Sequence, residues 1–216
     1  MIHLFRSGVL RLEGYIDAGG FVMLPLILLC LVMWWLIVNR LFFFRQMHKN
    51  NMDPHDALKH ILNKRVPDSN NYNGATALLV SEYLGNCCMN HKVNGFILEE
   101  SVQKISRRIT AYLAAIGVLA AIAPLLGLLG TVTGMMETFD VLAIFGTGNA
   151  KAMASGISEA LITTQTGLLI AIPGLYMKGF LDRRARNLQQ YIEVVGYHLK
   201  RHLAEAYTKN RTDKSY

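Results

Sequence analysis

PLLGLLGTVTGMMETF, residues 124–139, and GISEALITTQTGLLIAIPG, residues 156–174, are apolar stretches in which small and hydroxylated residues recur at helical spacing. Each sits inside a longer apolar run, 111–139 and 152–181. At ~1.5 Å rise per residue, a helix of either length crosses a hydrocarbon layer ~30 Å thick. Gly146, Thr147, Gly148 and Asn149 form the turn-forming centre of the segment between them, so the two helices form an antiparallel hairpin. Further upstream, FVMLPLILLCLVMWWLIV carries no charge from Phe21 to Val38 and extends into Leu41 to Phe44. Its mixed leader of about twenty residues and its Trp34 and Trp35 differ from a cleaved secretory signal, so it reads as a retained first span. The expected fold class is an all-α integral membrane protein with three transmembrane helices and long cytoplasmic helical extensions.

Composition agrees. Of 216 residues, 52% are hydrophobic, and mean hydropathy is positive, which excludes a disordered or nucleic-acid-binding tail. The net charge of +7 marks topology, because the basic residues cluster at one set of span ends. Arg40, Arg45 and Lys49 follow the first span, Lys104, Arg107 and Arg108 precede the second, and Lys178, Arg183, Arg184 and Arg186 follow the third. The hairpin loop has only Lys151. The positive-inside rule then places the N-terminus and the loop outside, and the C-terminus in the cytoplasm. Attraction of the same clusters to membrane lipids is compatible with this orientation.

These readings divide the chain into an outer amphipathic segment (1–20), a first span (21–44) and a cytoplasmic helical domain (45–110). A second span (111–139), an outer loop (140–151), a third span (152–181) and a cytoplasmic C-terminal helix and tail (182–216) follow. In 1–20, Leu4, Phe5, Val9, Leu12 and Ile16 approach one helical stripe. Asp53-Pro54 and residues 67–71 mark turns between short helices. From Gly95, the stripe Leu98, Val102, Ile105, Ile109 and Tyr112 predicts a helix that feeds directly into the second span. Leu188, Ile192, Val195 and Leu199 predict that the third helix continues beyond its span as part of a bundle.

Gly127, Gly130 and Gly134 stand three and four residues apart, a strip on which another helix can close tightly. Thr131 and Thr138 share a neighbouring face. In the third span, Glu159 is an intramembrane carboxylate, costly enough (~3 kcal/mol) to face protein or water. Thr163 and Thr166 lie on its side, and Gly156, Ala160, Thr164 and Gly167 form an adjacent small-residue stripe. An interfacial Glu159 exposed to water, with glycines that serve packing alone, is the alternative reading.

LLGLLGTVTGMMETF and GISEALITTQTGLLIAIPG together resemble the paired pore-helix signatures of the MotA/TolQ/ExbB proton-channel family, its ExbB branch most closely. The resemblance implies an inner-membrane homo-pentamer whose second and third spans line a central pore, threaded by an ExbD-like dimer. It implies polar pore rings at Thr131 and Thr164, and it maps the family's third-span carboxylate to Glu159. Thr163 and Thr138 extend this candidate proton pathway, and Gly127, Gly130, Gly134, Gly156 and Gly167 are candidate packing residues. The carboxylate that cycles its proton belongs to the partner in such motors. The output is a TonB-like protein that energises transport across the outer membrane; a TolQ-like load in envelope maintenance and a non-conducting scaffold are the alternatives.

Thr163, Gln165 and Thr166 make this track more polar than the Ala-rich version of the branch, and Glu137 adds an acidic residue near the outer end of the second span. Enzyme and metal readings find little support. His198 and His202 lack a third ligand, His55 and His60 lie on a turn-rich segment, and no phosphate loop is present. Cys87 and Cys88 are adjacent and read as an ordinary cytoplasmic pair. No cofactor is expected.

Overall fold

The computed structural model describes residues 19–48, 52–63, 74–87, 91–146 and 150–212, and all elements among them are helical. They are α1 (Met23–His48), α2 (Pro54–Leu62), α3 (Ala75–Asn86), α4 (His91–Thr110), α5 (Leu113–Phe145) and α6 (Ala150–Thr212). The expected amphipathic segment before residue 19, the turn cluster at 67–71, Cys88 and residues 147–149 lie outside the described residues. Three helices are long and apolar enough to cross a membrane. The protein is a multi-pass membrane protein with an all-helical fold.

The chain divides into two compact units. The first holds residues up to Val38 together with Ala114–Gly179. Its interior is built from Leu26, Met33 and Ile37 of α1, Ile116, Ala120 and Ala123 of α5, and Ile170 and Ala171 of α6, all buried. Gly174 lets the three helices meet, since a Cβ there falls 2.5 Å from Met33 Sδ and 3.1 Å from Ala120 Cβ. The outward residues Leu28, Trp35, Leu125, Val132, Leu161, Leu169 and Ile172 are large and exposed, the surface a lipid solvent tolerates. Pro124 and Pro173 stand inside α5 and α6, where each removes one backbone donor.

The second unit comprises Asn39–Leu113 and Phe180–Tyr216. α2 starts with proline in its first turn, the position where the missing N–H costs nothing. The buried stripe of α4 (Leu98, Ile105, Ile109) and that of α6 (Leu188, Ile192, Val195, Leu199) follow the predicted spacing. Gln189 Nε2 donates to Ser106 Oγ at 2.6 Å, Lys200 pairs with Glu99, and Gly196 receives Val102, so α4 and the later part of α6 pack side by side. Glu82 of α3 pairs with Lys104 of α4.

α5 continues through Phe145 and α6 starts at Ala150, so Asp140 and Lys151, within the segment expected as a loop at 140–151, lie on helix. The helix from Gly95 does not feed directly into the second span. It stops at Thr110, and Tyr112 takes a left-handed backbone, φ +64°, and is 63% exposed instead of completing the buried stripe.

Candidate functional site

Glycine spacing brings α5 and α6 to backbone contact along an antiparallel seam. A Cβ on Gly167 meets the Ala123 carbonyl oxygen at 2.7 Å, and one on Gly127 meets the Thr163 carbonyl oxygen at 2.9 Å. Towards the loop, Gly134 faces the Gly156 carbonyl oxygen at 2.8 Å. Helices approach this closely in lipid where dispersion contacts between backbones replace the missing side chains.

Side chains fill the notches that the glycines leave. Thr163 projects into the gap at Gly130, where a Cβ would lie 2.5 Å from its own Cβ, and Thr138 projects towards Gly156. Both are buried, at 1% and 5% exposure, and both hydroxyls donate within their own helices, Thr163 to Ala160 O at 3.0 Å and Thr138 to Gly134 O at 2.9 Å. Within this chain, then, Thr163 and Thr138 occupy a packed seam rather than an open polar face. Thr166 is also buried, and its hydroxyl donates to Ile162 O at 2.7 Å.

Thr131 and Thr164 keep part of their surface open. The Thr131 hydroxyl donates to its own helix at Leu128 O, 2.6 Å, which neutralises the donor and leaves oxygen lone pairs outward. Thr164 donates to Ala160 O at 3.1 Å and across the seam to Gly127 O at 3.3 Å. It therefore ties the two helices together as well as offering a polar surface.

Glu159 lies at the loop end of the seam and is half-buried. Glu137 of α5 stands within hydrogen-bonding reach of it. On another side the carboxylate rests against Gly20, in the turn before α1, where a Cβ would collide with Glu159 Oε1. Gly20 also has φ +60°, so both its backbone and its neighbour require glycine.

Sequence reasoning listed Glu137 and Glu159 separately and missed their meeting. The signal was present, since each stands eleven residues from Gly148 at the hairpin's centre. Among the described residues no group of three or more His, Cys, Asp or Glu is placed to hold a metal ion.

Comparison with known proteins matches this sequence to a described family. The model of the MotA/TolQ/ExbB proton channel family matches residues 88–194, which include both motifs. The chain is 31% identical over 205 residues to the biopolymer transport protein ExbB-like 1 of Synechocystis, a match covering 91% of this chain and 81% of that one. It is 35% identical over 112 residues to the biopolymer transport protein ExbB of Aquifex aeolicus, covering 52% of this chain and 72% of that protein. With ExbB of Salmonella typhimurium identity reaches 42% over 93 residues, 42% of this chain and 37% of the other.

Proposed function

This chain belongs to the MotA/TolQ/ExbB proton channel family, most like ExbB, and on that premise we propose that it is the ring-forming subunit of a proton-driven motor that energises TonB-dependent transport. In this reading five copies enclose a pore in the inner membrane, with the N-terminus periplasmic and the C-terminus cytoplasmic. An ExbD-like dimer occupies the pore, and a TonB-like protein takes up the work. One observation supports this assignment most. Thr131 and Thr164 retain open polar surface, while neighbouring Thr138, Thr163 and Thr166 are consumed by packing.

The mechanism follows from electrostatics. A proton crossing the full membrane potential releases about 2.3 kcal/mol per 100 mV. An acidic group of the partner, protonated beside Thr131 or Thr164, loses its charge and with it the cost of facing apolar wall. Hydroxyl groups on a rigid seam give that acid a place to rest in either protonation state. Glu159 and Glu137 would line the outer end of this route, ahead of the threonine positions.

The test is growth on a scarce iron source imported through TonB, in cells lacking their own subunit, complemented by wild type or by variants at matched membrane levels. Wild type is expected to restore growth, and Thr164→Val, Thr131→Val and Glu159→Ala are expected to lose it without losing assembly. Full rescue by all three variants would refute the pore assignment and favour the scaffold. Failure of wild type in iron uptake, with rescue of detergent resistance in cells lacking a TolQ-like subunit, would move the load to envelope maintenance.

A further inference from the structure

Arg40 occupies the second unit as a buried cation, 6% exposed, with no carboxylate partner among the described residues. Its Nη2 donates to the carbonyl oxygen of Arg108 at 3.0 Å and to that of Ala111. The guanidinium carbon lies 4.8 Å from the Phe43 ring centre and 5.2 Å from that of Tyr112. Nε is buried and makes no hydrogen bond. Burying a guanidinium costs several kcal/mol, and an apolar side chain of similar volume fills such a site at lower cost.

Both acceptors belong to the break between α4 and α5. In an uninterrupted helix the Arg108 carbonyl would receive the Tyr112 N–H, and the Ala111 carbonyl that of Ala115. Local sequence favours such a helix, because no glycine or proline lies between Ile105 and Ile116. Tyr112 instead holds φ +64°, a left-handed conformation unfavourable for a non-glycine residue. Something outside the segment must stabilise that conformation, and Arg40 binds both free carbonyls and stacks on the displaced ring.

We propose that Arg40 is a latch that holds residues 110–113 out of helical conformation and so keeps α4 and α5 as two helices. Without the latch, residues from His91 to Phe145 would run as a single continuous helix. Arg40 is a positioning residue, and its role does not depend on which load the motor drives.

The experiment is amide hydrogen exchange on the full-length protein in lipid nanodiscs. The first four N–H groups of α5, residues 113–116, lack intrahelical partners at a free helix start. Arg40→Met is expected to let the helices fuse and to slow exchange at those four amides by about tenfold or more. Arg40→Gln, milder for folding, is expected to slow the same amides by a smaller factor. Adding Tyr112→Gly to Arg40→Met is expected to restore wild-type rates, because glycine adopts φ +64° without penalty. Unchanged rates in both single variants overturn the proposal, as does faster exchange spread through residues 75–110, the mark of ordinary packing loss.

Discussion

Gly167→Ala tests whether the α5–α6 seam is closed by backbone contact. The added methyl meets the Ala123 carbonyl oxygen at 2.7 Å and the Gly127 Cα at 3.2 Å. Ordinary contact begins at 3.4 Å, so the helices have to part locally by about 0.7 Å, and no rotamer change relieves a clash with backbone. Overpacking of this kind costs about 1–3 kcal/mol, and the better helix propensity of alanine returns about 1 kcal/mol. Because the obstacle is backbone, the upper part of that range applies, and a net loss of about 1–2 kcal/mol is expected. Gly127→Ala meets the Thr163 carbonyl oxygen at 2.9 Å from the other side of the same contact. One separation accommodates both methyls, so the double variant is expected to fall short of the sum by about 0.5–1 kcal/mol. Gly85→Ala, with nothing within 4 Å, is the control and is expected to be neutral or stabilising by up to about 1 kcal/mol. Reversible unfolding in mixed detergent micelles compares the four variants with wild type. A Gly167→Ala protein as stable as wild type, or strict additivity in the double variant, would refute the reasoning.

Three further outcomes are expected. Thr164→Val loses the bond to Gly127 O and about 0.5–1 kcal/mol in the same unfolding assay, whereas Thr163→Val keeps the shape in the Gly130 notch, stays within about 0.5 kcal/mol of wild type and supports growth. The Lys104 ammonium beside Glu82 holds that carboxyl below the usual carboxylate range, so the folded chain binds a proton there less readily than the unfolded chain. The pair's stabilisation is present above the unfolded value, near 4.3, and fades as pH falls through the lower folded value. Glu82→Gln is expected to cost about 0.2–1 kcal/mol at neutral pH and low salt, and nothing once both forms are protonated or salt is high. Gly196→Ala places its methyl 2.6 Å from Val102 Cγ2, a half-exposed side chain able to turn away, and thermal unfolding is expected to show a loss within about 1 kcal/mol.

The spans were legible because long uncharged apolar runs have few alternative folds, and the glycine strip because its three- and four-residue steps match a helix. The roles of individual threonines were not. Periodicity sets Thr163 on the side of Glu159, but how deep a side chain sits at a helix contact depends on what the other helix lacks. The absent side chain of Gly130 admits Thr163, and the hydroxyl left partly open is that of its neighbour Thr164. The break at Tyr112 was invisible for a related reason. Nothing local ends the helix there, and the residue that binds its free carbonyls, Arg40, stands about seventy positions earlier, where sequence reading treated it as a topology marker.

The seam of α5 and α6 also bears on how the protein is made. A solitary α5 in the bilayer would turn its strip of Gly127, Gly130 and Gly134 to lipid with backbone bare of side chains. The partner that covers it follows at once, since only four residues separate Phe145 from Ala150. Insertion as a hairpin thus removes the interval in which a solitary α5 would offer its glycine strip to unrelated membrane helices.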